Sequence, residues 1–293
     1  MSTRRHFLQQ SALLSAGFLI QPSFAGEAQP KIGLQLYTLR DIINKDVKAV
    51  IKMVADSGYQ EVEMYGLSAD NKFFGLSVKQ FADLLKANNL VSPSGHYMPE
   101  NYLFKNGNGD DVKNLCDVAN TLGNKYLIIP WMSEDKRKSI EQYKTLAERL
   151  NKAGEITKKS GLQLAYHNHD FEFADINGQH GYDILLNDTD KDLLKMEMDL
   201  YWVVRAGYDP VTLFKKHPGR FHLWHVKDMS KLNKAQNTEV CNGSIDFKTI
   251  FANAPLSGVK HFIVEQENNY LPDYAGSIKK SNKNVKKLLK KNK

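Results

Sequence analysis

The sequence predicts an α/β protein, a single-domain (β/α)8 TIM barrel, on three observations. Short apolar runs alternate with longer amphipathic ones eight times, the pattern of repeated βα units and a parallel sheet. The chain has 293 residues, and a closed barrel of this type takes about 250 as one domain. No glycine-rich loop of the GxGxxG or GxxxxGK type follows the first run, which counts against a dinucleotide-binding or P-loop fold.

Taken in order, residues 32–37 read as the first strand, followed by a helix over 46–57 that Gly58 closes. Residues 61–65 form the second strand, with a helix over 77–88. Residues 91–96 and a helix over 110–122 come next, then a strand over 126–129 and a long helical stretch over 134–160. The fifth strand, within 162–173, carries Leu164 and Tyr166 on one face and Ala165, His167 and His169 on the other, so its C-terminal end turns from apolar to metal-binding chemistry. Residues 195–199, 221–226 and 261–265 complete the eight.

The composition, 42% hydrophobic and 25% charged, suits a globular protein with a substantial core. A net charge of +7 invites a nucleic-acid reading, but eight lysines crowd residues 279–293, and Arg4 and Arg5 lie near the start. Without those ten cations the body, 26–278, carries −3, so no basic face that could track phosphates is expected. Ile278, Val285, Leu288 and Leu289 recur at near-helical spacing in the lysine-rich segment, which predicts a terminal helix or tail over 279–293 with a solvated face.

Residues 1–25 resemble a twin-arginine signal peptide: Arg4-Arg5, the apolar run 12–20, and small residues around Ala25, after which cleavage is expected. That run is too short to span a bilayer and no second one is long enough, so the protein is expected to be periplasmic or otherwise exported, without a membrane span. Cys116, in an amphipathic helical segment, and Cys241, in a polar loop, are expected to form no disulfide.

The alternation rule locates the chemistry. With Met196 and Met198 facing the helices, Asp199 faces inward; with Trp224 and Val226 outward, His225 faces inward and Lys227 follows on the same parity. Glu265 ends the eighth strand, Glu63 lies inward on the second, and Gln35 and Tyr37 on the first. Glu63, His167, His169, Asp199, His225 and Glu265 therefore gather at the C-terminal ends, where barrels of this kind place their sites. So many ionisable groups in one mouth call for a cation, and the mixed imidazole and carboxylate set suits one divalent ion, with Mn, Zn or Co favoured over Mg. His96, Trp131 and Trp202, after the third, fourth and sixth strands, join Gln35 and Tyr37 as candidate substrate contacts.

Several motifs carry a family resemblance: Tyr-His-Asn-His-Asp-Phe-Glu-Phe at 166–173, Met-Asp-Leu-Tyr-Trp at 198–202, His-Val-Lys-Asp at 225–228, Val-Glu at 264–265, and Gly-Leu-Gln-Leu-Tyr-Thr-Leu-Arg at 33–40. The chain resembles the sugar phosphate isomerase/epimerase family of xylose isomerase-like barrels over essentially its whole mature length. The resemblance implies one divalent cation held by His167, Asp199, His225 and Glu265, and a carbohydrate substrate. Ketose epimerases of the family carry a Glu where this chain has His167, so the symmetric two-glutamate proton exchange loses a member.

The expected chemistry is removal of a proton next to a sugar carbonyl, with His169, Glu265, Lys227 and Glu63 as candidate acids or bases. A leaving group β to that carbon turns the same machinery into a lyase, for which 3-keto-glycosides are a candidate substrate class. A ketose epimerase or aldose/ketose isomerase is the alternative, and a non-catalytic exported sugar-binding protein the second.

Overall fold

Eight parallel strands close into a barrel around the expected core: β1 (Ile32–Gln35), β2 (Glu61–Met64), β3 (Val91–His96), β4 (Tyr126–Ile129), β5 (Gln163–His167), β6 (Leu194–Asp199), β7 (Leu223–Val226) and β8 (His261–Val264). The computed structural model describes residues 30–291; the expected leader, residues 1–25, lies outside them. Each strand pairs with its sequence neighbours, and β8 returns to β1 through Ile32↔Phe262, Gly33↔Ile263 and Leu34↔Val264. No helix among the described residues is long and apolar enough to cross a membrane.

The principal helices around the barrel are α1 (Val47–Asp56), α2 (Val78–Ala87), α3 (Asp110–Leu122), α4 (Ile140–Lys159), α5 (Gly181–Asn187), α6 (Pro210–Lys216), α7 (Phe247–Ala252) and α8 (Tyr274–Lys291). Their starts are written locally. Asp46, Asp209 and Asp246 accept backbone N–H groups of the first turns of α1, α6 and α7, and Ser77 with Gln80 and Ser139 with Gln142 form capping boxes on α2 and α4. The Ser139 cap explains why the helical stretch expected over 134–160 divides, with a 3-10 turn at Glu134–Lys136 ahead of α4.

Three further differences from the sequence reading have a physical reason. β1 ends at Gln35 because its side chain accepts from the Tyr37 backbone N–H and starts a 3-10 turn, Leu36–Leu39. β5 ends at His167, so His169 belongs to the loop after it, ahead of the 3-10 turn Phe171–Phe173. The lysine-rich segment is no appended tail: α8 begins at Tyr274 and buries Ile278, Ser281, Asn282, Val285 and Leu288, so it is the helix that follows β8. The charge run obscured an apolar stripe that starts before it.

Outward residues of the strands pack on the helices in one large core. Inside the barrel a small apolar plug of Tyr126, Ile128, Ala165 and Leu223 fills the cylinder. The polar residues of β2, β5, β6, β7 and β8 collect beyond this plug at the strands' C-terminal ends.

Candidate metal centre and active site

Two imidazoles, each lying between carboxylates, form the middle of the site. His225 Nε2 is 2.6 Å from Glu63 Oε1, while its Nδ1 is 3.0 Å from Glu265 Oε2 and 4.0 Å from Asp199 Oδ2. His167 Nδ1 is 3.1 Å from Glu197 Oε2, and its Nε2 is 3.9 Å from Asp199 Oδ2. Parallel register creates this layering, pairing Glu197 with His167 and Asp199 with His225 on adjacent strands.

A neutral imidazole has one N–H and one lone pair. When Glu63 and Glu197 accept the N–H of His225 and His167, the opposite nitrogens face Asp199 and Glu265 as lone-pair donors. This is the carboxylate–histidine–metal arrangement, in which an outer carboxylate sets the tautomer and the ring's aim.

Asp199 is divided between two tasks. Its Oδ1 accepts from the backbone N–H groups of Tyr201 at 2.8 Å and Trp202 at 3.1 Å, capping the short helix Leu200–Arg205. Its Oδ2 is buried and finds no hydrogen-bond partner among the described residues. The Lys227 ammonium lies 3.6 Å from it, beyond hydrogen-bond reach, so the oxygen keeps a lone pair that a metal ion could take up. Two overlapping groups have metal-ligand spacing: Asp199, His225 and Glu265, and His96, His167, Glu197 and His225. The first, extended by His167 Nε2, fits a divalent cation better, because it contains the Asp199 Oδ2 that accepts no hydrogen bond, whereas Glu197 in the second is already engaged by His96 and His167.

The outer carboxylates are themselves fixed. Glu63 accepts from Gln35 Nε2 at 2.8 Å and Ser94 Oγ at 2.5 Å, and His96 Nε2 lies 3.1 Å from it and 2.8 Å from Glu197 Oε2. The register between β2 and β3 shifts between Glu61 and Glu63, beside Pro93, which cannot donate to a ladder, and the shift sets Ser94 opposite Glu63. Glu197 was not among the expected site residues, although it stands two positions before Asp199 on the same strand face; that parity was the available signal. Glu197→Gln is expected to lower divalent-cation affinity about 10–100-fold, the usual cost of losing an outer partner of a ligand histidine, measured by competition with a chromophoric chelator.

Burial and the neighbouring charges push these groups apart. Burial, with Glu63 close by, raises the Glu197 carboxyl to about 8, whereas burial of Glu63 is outweighed by His96 and His225, which hold it well below the carboxylate range. Burial also raises Asp199 to about 6, with Lys227 opposing. Glu265 is buried too, but Lys227 and His225 hold it far down. Burial and the Lys227 charge press His169 down to about 3, which keeps it neutral at physiological pH.

A cavity of about 650 Å³ opens above this layer. Tyr37, His96, Trp131, His167, His169, Trp202 and Glu265 line it. Three of the residues expected to meet substrate, Gln35, Glu63 and Lys227, do not line it. Gln35 is fully buried and spends its amide on Glu63, so it braces the site and is not a substrate contact. Glu63 is closed off from the cavity by His225 and His96 and orients them, so it is no proton carrier to substrate. Lys227 is 1% exposed and paired with Glu265 at 3.1 Å and with Glu267. Burial works against its charge, but Glu265, Asp199 and Glu267 raise its pKa, so in the metal-free site the group is an ion-pair partner of these carboxylates.

His169 is held from two sides. Glu172 accepts from its backbone N–H at 2.8 Å and from the Tyr166 hydroxyl at 2.8 Å. Its ring stacks on Phe171, centroids 5.2 Å apart and planes at 8°, and the Arg137 guanidinium lies 3.5 Å from the Phe171 centroid. The Nδ1 atom is buried without a hydrogen-bond partner among the described residues.

Fold and site together define a (β/α)8 barrel with a cluster of histidines and carboxylates of metal-ligand spacing at its C-terminal mouth. The chain belongs to the xylose isomerase-like TIM barrel family, whose model matches residues 51–290. An inosose dehydratase of Clostridium perfringens is 32% identical over 127 residues, 38% of this chain and 42% of the relative. One of Geobacillus thermodenitrificans is 25% identical over 146 residues, 44% and 48% of the two chains. The match spans less than half the length of these curated relatives. Among solved structures, a sugar phosphate isomerase/epimerase from Parabacteroides distasonis superposes with a TM-score of 0.77 at 27% identity, covering 88% of this chain and 93% of the other. The IolI protein, solved with a zinc atom, shares the fold at 16% identity and a TM-score of 0.71, covering 90% and 99%.

Proposed function

We propose that the protein is a divalent-metal-dependent lyase that takes a proton from the carbon next to the carbonyl of an unphosphorylated keto-sugar, with 3-keto-glycosides as the substrate class. The observation that carries this reading is the His169 ring, which lines the cavity beside the donor set of His167, Asp199, His225 and Glu265 and is kept neutral by burial and the Lys227 charge. A dehydratase name on the curated relatives agrees with elimination, and imidazole donors favour Mn, Zn or Co over Mg. The sequence of residues 1–25 extends the proposal to an exported enzyme.

When bound, the cation supplies Lewis-acid polarisation of the carbonyl and stabilises charge growing on its oxygen. His169 takes the proton from C2, and the released electron pair forms the C1–C2 double bond as the C1–O bond breaks. The departing oxygen leaves with that bond's pair and receives the same proton from His169, giving an unsaturated keto-sugar and a free alcohol. Lys227 holds Glu265 in place, and the Trp202 ring lines the cavity against His169.

The test is proton NMR in D₂O on protein stripped by chelation and reloaded with Mn, Zn or Co singly. Methyl 3-keto-β-glucoside is expected to lose its C2 proton and release methanol only with metal present. Exchange without release, on a free ketose, would favour the epimerase or isomerase; no exchange on 3-keto-glycosides, inososes or ketoses would leave a sugar-binding protein and sink the enzyme reading.

A further inference from the structure

The cavity lining divides by strand. The segments after β5, β6 and β8, with the end of β5 itself, supply His167, His169, Trp202, Glu265 and Glu267. The segments that follow β1 to β4 supply Tyr37, Tyr65, Leu67, Met98, Leu115 and Trp131, and of the polar groups only His96 reaches the floor from that half. A carbonyl ring seated over the donor set therefore leaves the β1–β4 half for whatever the ring is attached to.

That half has a definite chemistry. Among the large apolar side chains exposed on the described residues, the aromatic ones are Tyr37, 39% exposed, and Trp131, 46% exposed, and both are here. Tyr37 is held in place: Tyr65 meets it edge-on at 5.2 Å and 88°, and the Arg40 guanidinium lies 4.6 Å from its ring centroid. No lysine or arginine is among the described lining residues. Arg40, the neighbouring cation, donates to the backbone carbonyls of Tyr37 at 3.2 Å and Glu267 at 2.6 Å. A phosphate in the β1–β4 half would meet aromatic and apolar side chains and no lysine or arginine, whereas the C–H face of a pyranose matches an open aromatic ring. The volume, about 650 Å³, is several times what one such ring fills.

We propose that the β1–β4 half is a subsite for the second ring of a neutral glycoside, with Trp131 and Tyr37 as its platforms. The inference rests on the function proposed above and adds that the natural substrate has two rings and no phosphate.

The test compares the metal-loaded protein with Trp131→Ala on two probes that share the reacting ring, methyl 3-keto-β-glucoside and 3-ketocellobiose. The native protein is expected to prefer the two-ring probe in kcat/KM by about tenfold, the scale of one good ring contact. Trp131→Ala is expected to remove that preference through KM, with Tyr37→Leu reducing it in the same sense. A native protein without the preference, or a preference that survives Trp131→Ala, overturns the subsite. If neither probe turns over, the proposed function fails, and the subsite is judged by calorimetry with unoxidised sugars. Cellobiose must then bind more tightly than methyl β-glucoside or glucose 6-phosphate and weaken in Trp131→Ala; equal affinities, or tighter binding of the phosphate, overturn it.

Discussion

Asp199→Asn is expected to strip the protein of its divalent cation while leaving the fold intact. The substitution keeps an oxygen at Oδ1, where the backbone N–H groups of Tyr201 and Trp202 are bound, and replaces Oδ2, which accepts no hydrogen bond among the described residues, by an amide nitrogen that cannot ligate a cation. Asp199→Ala removes the cap as well and should cost about 1 kcal/mol of stability in addition, so the pair separates folding from ion binding. Turnover should fall roughly 10²–10³-fold, the loss seen when one group stabilising a developing oxyanion is removed. Elemental analysis of the dialysed variant is the direct readout; a full equivalent of metal in Asp199→Asn would sink the assignment of the centre. The same carboxylate sets a pH dependence. Burial raises it to about 6 in the metal-free protein, and cation and proton compete for one oxygen. Metal uptake should therefore weaken as the pH falls through about 6, and the His225 proton, disfavoured by burial but held up by Glu197, Glu265 and Glu63, competes at higher pH as well.

His169→Gln should have the opposite signature, a full complement of metal and almost no proton abstraction. His169 lines the cavity but makes no side-chain hydrogen bond through Nδ1, and it follows the end of β5 by two residues, outside the donor set. Loss of a positioned base typically costs about 10²–10⁴ in rate, and here it should appear in kcat, with deuterium exchange at the substrate carbon falling in parallel. Exchange at the native rate in His169→Gln would pass the role to Glu265. Phe171 and Glu172 hold the ring and the backbone of His169, so a variant of either that lost metal would also contradict this division of labour.

Much of this site could be read from alternation along single strands. Met196 and Met198 outward implied Asp199 inward, and Trp224 and Val226 outward implied His225 inward. The same rule pointed to Glu197, whose position two residues before Asp199 makes it equally inward. A lone glutamate in a strand carries no metal-ligand spacing of its own, so parity is its one signal. Alternation could not separate Glu63 from Glu265 in role, since both are inward carboxylates, yet one braces two histidines from behind and the other lines the cavity. Nor could it follow His169 past the strand end, where the chain leaves the pleat and a 3-10 turn takes over.

By itself the sequence determined the eight βα units, the helix caps and which residues face the barrel axis, because these depend on side-chain periodicity and on contacts within a few residues. Only the tertiary structure decided which nitrogen of each histidine is spent on a bracing carboxylate and which is left for a cation. That choice depends on groups distant in sequence, Glu63 with His225 and Glu197 with His167, whose separation of a few ångströms is set by the register of the closed sheet.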